Sequence, residues 1–142
     1  MKTLITAMAL AALTLGAGVA SAESKYMPLN ESRGEQRLAR MLEGHVQSGE
    51  PKQCITTYRS NGVQVIENVG LVYDAGKTIW VARSTRPENL DWNDVPVIDR
   101  FSSSQLCTND MMRTVDRTSG FMTGVLFLED FVPYTRVEDA EG

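Results

Sequence analysis

One histidine and two cysteines are present in 142 residues, and both scarcities narrow the chemistry. A lone imidazole makes a poor metal site, because all its other ligands must come from carboxylates. The two cysteines stand too far apart for a Cys-x-x-Cys redox pair or a close-spaced zinc cluster. The chain has no Gly-rich phosphate loop, no Walker lysine motif and no dinucleotide fingerprint. Ser102, Ser103 and Ser104 form a run, but none sits in a Gly-x-Ser-x-Gly elbow. Internal repeats and low-complexity blocks are missing too. The formal net charge of −4 speaks against nucleic-acid binding. With 42% apolar and 23% charged residues, wholesale disorder, a collagen-like repeat and a multi-span membrane protein are excluded.

The first 22 residues read as an address. Lys2 precedes an uncharged run from Leu4 to Leu15, and small residues then end in Ala20-Ser21-Ala22. A short positive region, an apolar core and an Ala-x-Ala site make a secretory signal peptide, here of bacterial style, with cleavage expected after Ala22. The apolar core has about a dozen residues, against the roughly 20 that a spanning helix needs. No cysteine follows the cleavage site to take a lipid. Removing 22 of 142 residues leaves 120, about one small domain. It also removes Lys2, leaving 13 basic and 18 acidic residues and a net charge of −5. The expected location is periplasmic or secreted, an oxidising compartment.

In that compartment Cys54 and Cys107 allow a single intramolecular pairing. An intermolecular bridge, a redox pair and a metal site compete with it. The spacing favours a structural disulfide, which in the chain-entropy model stabilises a loop of this length by roughly 4 kcal/mol.

Residues 23–31 are polar and carry Pro28, which suggests a flexible lead-in. Ser32 and Glu35 then have the Ser-x-x-Glu spacing of a capping box. Leu38, Met41, Leu42 and Val46 mark one apolar face, and Gly49 and Pro51 are stop signals. Together they predict an amphipathic helix over 33–48, with Gly44 weakening its interior. From Cys54 the period changes to two. Cys54–Tyr58 and Val63–Ile66 read as strands joined by an Asn61-Gly62 hairpin, and Asn68-Val69-Gly70 is a second turn. Leu71–Tyr73 leads through Asp74–Lys77 into Thr78–Ala82. There Trp80 and Ala82 share one face and Ile79 and Val81 the other, so this strand should be central. Residues 84–96 are expected to form a solvated loop. Short strands are expected at Val97–Phe101, Met111–Val115 and Thr123–Leu128. Pro133 in Phe131–Tyr134 suits an edge or a bend. A disordered acidic tail is expected over 138–142.

The expected fold is α+β and β-dominated. One N-terminal amphipathic helix packs on a small twisted antiparallel sheet or open barrel, within a single domain over 32–137.

Few side chains suggest chemistry. As the single imidazole, His45 could serve as a general base, yet the plainer reading is a half-exposed histidine on the helix. Glu88, Asp91, Asp94 and Asp99 fall within twelve positions, but match no calcium-loop spacing. Paired carboxylates can also hydrolyse glycosides when held at the right separation. Trp92, between Asp91 and Asp94, could stack on a sugar or anchor a partner; the plainer expectation is that it folds back over the sheet. Arg33, Arg37 and Arg40 repeat at spacings of four and three, a positive stripe that could meet phosphate or acidic lipid or simply face water.

The segments Arg33–Leu42, Cys54-Ile55, Ser104–Cys107 and Asp130–Tyr134 resemble a group of small exported proteins of Gram-negative bacteria without an assigned activity. The resemblance spans roughly 33–136. It implies export and cysteine pairing, and carries over no catalytic residue. The leading expectation is a non-enzymatic exported domain that binds a protein partner or envelope component, with Trp92, Asp91, Asp94, Arg33, Arg37 and Arg40 as binding candidates. No cofactor, metal ligand, nucleic acid or stable membrane span is assigned. Two alternatives stay open: a small periplasmic hydrolase using His45 or the Asp91/Asp94 loop, and an inhibitor of an exported enzyme.

Overall fold

The computed structural model describes residues 32–58 and 62–140. The expected leader 1–22, its cleavage site at Ala22 and the lead-in 23–31 lie outside the described residues.

Helix α1 spans Arg33–Met41 and begins where the sequence predicts, with Ser32 Oγ accepting the Glu35 N–H at 3.2 Å. The Glu35 carboxylate does not complete a capping box. It accepts two hydrogen bonds from the Arg83 guanidinium instead, so the first turn is tied to the sheet. The helix is shorter than the expected 33–48. Gly44 adopts φ +73°, the left-handed conformation that ends helices and that glycine enters without steric cost. Strand β1, His45–Gln47, follows at once. His45 and Val46 therefore lie on a strand rather than on the helix.

Among the described residues nine further strands follow: β2 (Cys54–Thr56), β3 (Val63–Ile66), β4 (Gly70–Asp74), β5 (Thr78–Arg83), β6 (Asp94–Asp99), β7 (Gln105–Cys107), β8 (Met111–Asp116), β9 (Met122–Val125) and β10 (Val132–Arg136). They form three antiparallel sheets with orders β1-β10-β5-β4-β3, β2-β7 and β6-β8-β9. The fold is β-dominated as expected, but its strands are divided among three sheets instead of one.

The β3–β4 and β4–β5 hairpins turn where the residues direct. Asn68 takes φ 54° in the first, and in the second the Ala75 N–H donates to the Thr78 carbonyl while the Gly76 N–H donates to Asp74 Oδ1. Among the described residues β2 does not pair with β3, as the expected Asn61-Gly62 hairpin would require. Strand β2 pairs with distant β7, and Asn61 itself lies outside the described residues. This pairing sets Cys54 directly opposite Cys107, and the two form a disulfide.

Strand β5 is central, flanked by β10 and β4, and its two faces serve two cores. On one side Ile79 and Val81 join Ile66, Val69, Val72 and Leu38 of α1. On the other, Ala82 and Trp80 meet Leu71, Tyr73, Ile55, Leu106, Met112 and Phe131. Helix α1 thus packs on one face of the five-stranded sheet, and the two small sheets supply residues to the core on the other. Gly34 lets α1 come this close, since a Cβ there would stand 1.6 Å from the Glu67 carbonyl oxygen.

Strand β10 lies inside the five-stranded sheet despite Pro133, which corrects the edge or bend expectation. The Pro133 carbonyl accepts from the Ser48 N–H just past the end of β1. N–H and C=O of one strand residue point the same way, so the missing donor faces a place where the β1 ladder has already ended. The segment 84–96 is not wholly a solvated loop. Leu90 is buried, a single 3-10 turn covers Pro87–Asn89, and β6 begins at Asp94, earlier than the expected Val97. Pro96 falls on β6, an edge strand. Helix α2, Val137–Ala140, occupies the start of the segment expected to be a disordered tail; its first N–H, on Val137, donates to the Gly44 carbonyl. Residues 141–142 lie outside the description.

Candidate functional site

The arginine stripe and Trp92, separate signals along the chain, meet in space. Spacings of four and three put Arg33, Arg37 and Arg40 on one face of α1, and all three are exposed. With Glu67 of the β3–β4 turn and Trp92 they line a groove of about 300 Å³. The element that joins them is the 90–94 turn. Asn68 N–H donates to the Leu90 carbonyl at 3.2 Å, while the buried Leu90 side chain anchors the turn in the core. Trp92 is 69% exposed, so it does not fold back over the sheet.

The turn is held on both sides of the indole. Asp91 N–H donates to Asp94 Oδ2 at 2.8 Å, and Asn93 N–H donates to Asp91 Oδ1 at 3.3 Å. Asn93 Nδ2 donates to Asp116 Oδ2 and to Thr118 Oγ1. Asp94 is only 4% exposed, and its Oδ1 accepts from the Thr123 hydroxyl at 2.7 Å, which in turn reaches Thr114 Oγ1 at 2.8 Å. Asp94 is therefore a buried bracket for the turn and for β8 and β9, not part of an open carboxylate pair. Asp116 braces the next turn. The Ser119 N–H and hydroxyl, then Asn93 and Thr118, donate to its carboxylate and hold its pKa below the usual value.

Electrostatics in the groove favour an anion. Three guanidiniums stand against one carboxylate, that of Glu67. Arg37 Nη2 donates to Gln64 Oε1 at 2.7 Å, which orients it, while Arg33 and Arg40 have no ion-pair partner among the described residues. Guanidinium forks match phosphate and carboxylate oxygens two at a time. Trp92 adds an apolar wall that can stack or enter a headgroup layer.

His45 sits on β1 with Nδ1 3.0 Å from the Glu43 carbonyl oxygen, the one hydrogen bond of its ring among the described residues. Ser102 and Ser104 pair with each other through their hydroxyls at 3.4 Å. No group of three His, Cys, Asp or Glu residues able to hold a metal occurs among the described residues, nor any helix long and apolar enough to cross a membrane. Periodicity showed the arginine stripe, and loop composition singled out Trp92. Glu67 gave no sequence signal, because its place in the groove comes from the β3–β4 turn lying beside α1. No protein-family model, curated protein or solved structure matches the chain.

Proposed function

We propose that the protein is an exported, non-enzymatic binding domain whose Arg33/Arg37/Arg40/Trp92 groove receives phosphate groups of an anionic envelope component. The observation that carries this reading is the placing of three exposed arginines and an exposed tryptophan around one groove. The disulfide fits an oxidising compartment, in keeping with a secretory leader on residues 1–22. Each cation beside an anionic surface contributes about 1 kcal/mol, so three contribute roughly 3 kcal/mol, on the order of a hundredfold in affinity.

Cosedimentation with vesicles tests the proposal. The wild-type protein should bind phosphatidylglycerol vesicles, ignore phosphatidylcholine vesicles and detach as salt rises. Changing Arg33, Arg37 and Arg40 together to Ala should weaken binding on the order of a hundredfold while leaving the thermal midpoint near wild type. Competition by soluble polyphosphate would locate recognition in the phosphate itself rather than in the lipid surface. Equal binding by the wild type and the triple variant would sink the assignment.

A further inference from the structure

The three-stranded sheet has an outer face that its alternation should have made polar. Along β8 the inward residues Met112 and Thr114 are each 1% exposed, while Met111, Arg113 and Val115 point the other way. Ladder partners share a face. The register pairs Arg113 with Val125 and Val115 with Met122, and continuing it outward sets Phe127 beside Met111. Met111, Met122, Val125 and Phe127 are 66, 64, 53 and 58% exposed. On the other side of β8, Val97 lies opposite Arg113, and Val95 opposite Val115. An antiparallel sheet with one wet face normally alternates apolar-in and polar-out; this one is apolar on both.

We infer that this outer face is a two-fold interface between two copies of the chain. Size is the first argument. At these exposures the four apolar side chains present on the order of 500 Å², the upper end of what most monomers leave open, and the partly exposed Val95, Val97 and Val115 with the stems of Arg113 and Asp99 extend it toward the ~800 Å² per partner of a stable interface. Charge is the second. Among the described residues, the charged side chains on the face are Arg113 and Asp99, which lie 3.8 Å apart as an ion pair, so the patch is neutral. A copy of itself meets it without repulsion, although the chain as a whole carries −4. A partner recognised through charge would find no unbalanced charge there to read. The contact runs through the face and not the β9 edge, because the chain just past β9 bridges Ser84 at Leu128 and the Phe127 carbonyl accepts from the Thr85 N–H. Two such faces pack about 10 Å apart with their side chains interleaved, as in a sandwich, and a two-fold axis makes the contact closed. The interface is separate from the arginine groove and stands whether or not that groove binds phosphate.

Sedimentation velocity on the purified protein at micromolar concentration is the test. The expected result is a species of twice the monomer mass that runs as monomer on a denaturing, non-reducing gel, since both cysteines are internally paired. Val125→Glu and, separately, Met111→Lys each give the otherwise neutral face a net charge, which a two-fold contact would bring against its own copy. Each should convert the dimer to monomer with the circular dichroism spectrum unchanged, and two independent exposed positions guard against one failed fold. A monomeric wild type, or a folded Val125→Glu protein that still dimerises, would overturn the inference.

Discussion

Gly34 is a poor residue for a helix interior in isolation, yet here it is the one that fits. A methyl at that position would stand 1.6 Å from the Glu67 carbonyl oxygen, so the gain in helix propensity on Gly34→Ala is outweighed by the clash. The substitution should destabilise the protein by about 1–3 kcal/mol, read as a lowered denaturation midpoint. It should also move α1 away from Glu67 and weaken phosphate binding. Asp116 governs a different response. Its carboxyl has a folded pKa below its unfolded one, because Ser119, Asn93 and Thr118 donate to the charged form. Its stabilising contribution is thus present above the unfolded pKa and is lost as pH falls through the folded pKa. Asp116→Asn should flatten the decline in stability on the acid side of about pH 4. An unchanged acid limb in a pH series of thermal melts would count against this role.

Among the elements, those governed by local chemistry were legible and those governed by distant partners were not. Ser32 marks the start of α1, and Asn68 and Asp74–Lys77 mark two hairpins, because capping and turn conformations are decided within a few residues. Ile79 and Val81 opposing Trp80 and Ala82 made β5 readable as a central strand. The end of α1 misled because Val46 continues the helical period. It fills a strand position paired with Thr135 instead and is 42% exposed there. Likewise the local Asn61-Gly62 signal predicts β2 beside β3, whereas β2 pairs with β7 across 53 positions. That pairing makes the Cys54–Cys107 bridge the main covalent support of the smallest sheet. Replacing both cysteines with serine should lower stability by roughly 4 kcal/mol, measured as a shift in denaturant midpoint with the slope examined for a change in the unfolded state. A shift below about 1 kcal/mol would show that β2 and β7 hold without the bridge.

At the scale of the whole molecule, the candidate site is a product of the fold. The arginine stripe could be read from spacing alone and Trp92 from its loop, but not that the two face one groove. The connection runs through Asn68 and Leu90, which bind the β3–β4 turn to the 90–94 turn beside α1. Burial reassigns Asp94 from binding candidate to structural bracket, a change invisible in a sequence where it sits among prolines and asparagines. The most direct measurement is the fluorescence of Trp92 in a Trp80→Phe background, which leaves one indole, titrated with phosphatidylglycerol vesicles at low and high salt. A saturable blue shift is expected at low salt, fading at high salt and disappearing when Arg33, Arg37 and Arg40 are changed to Ala. An emission spectrum that stays that of a solvent-exposed indole throughout the titration would contradict it.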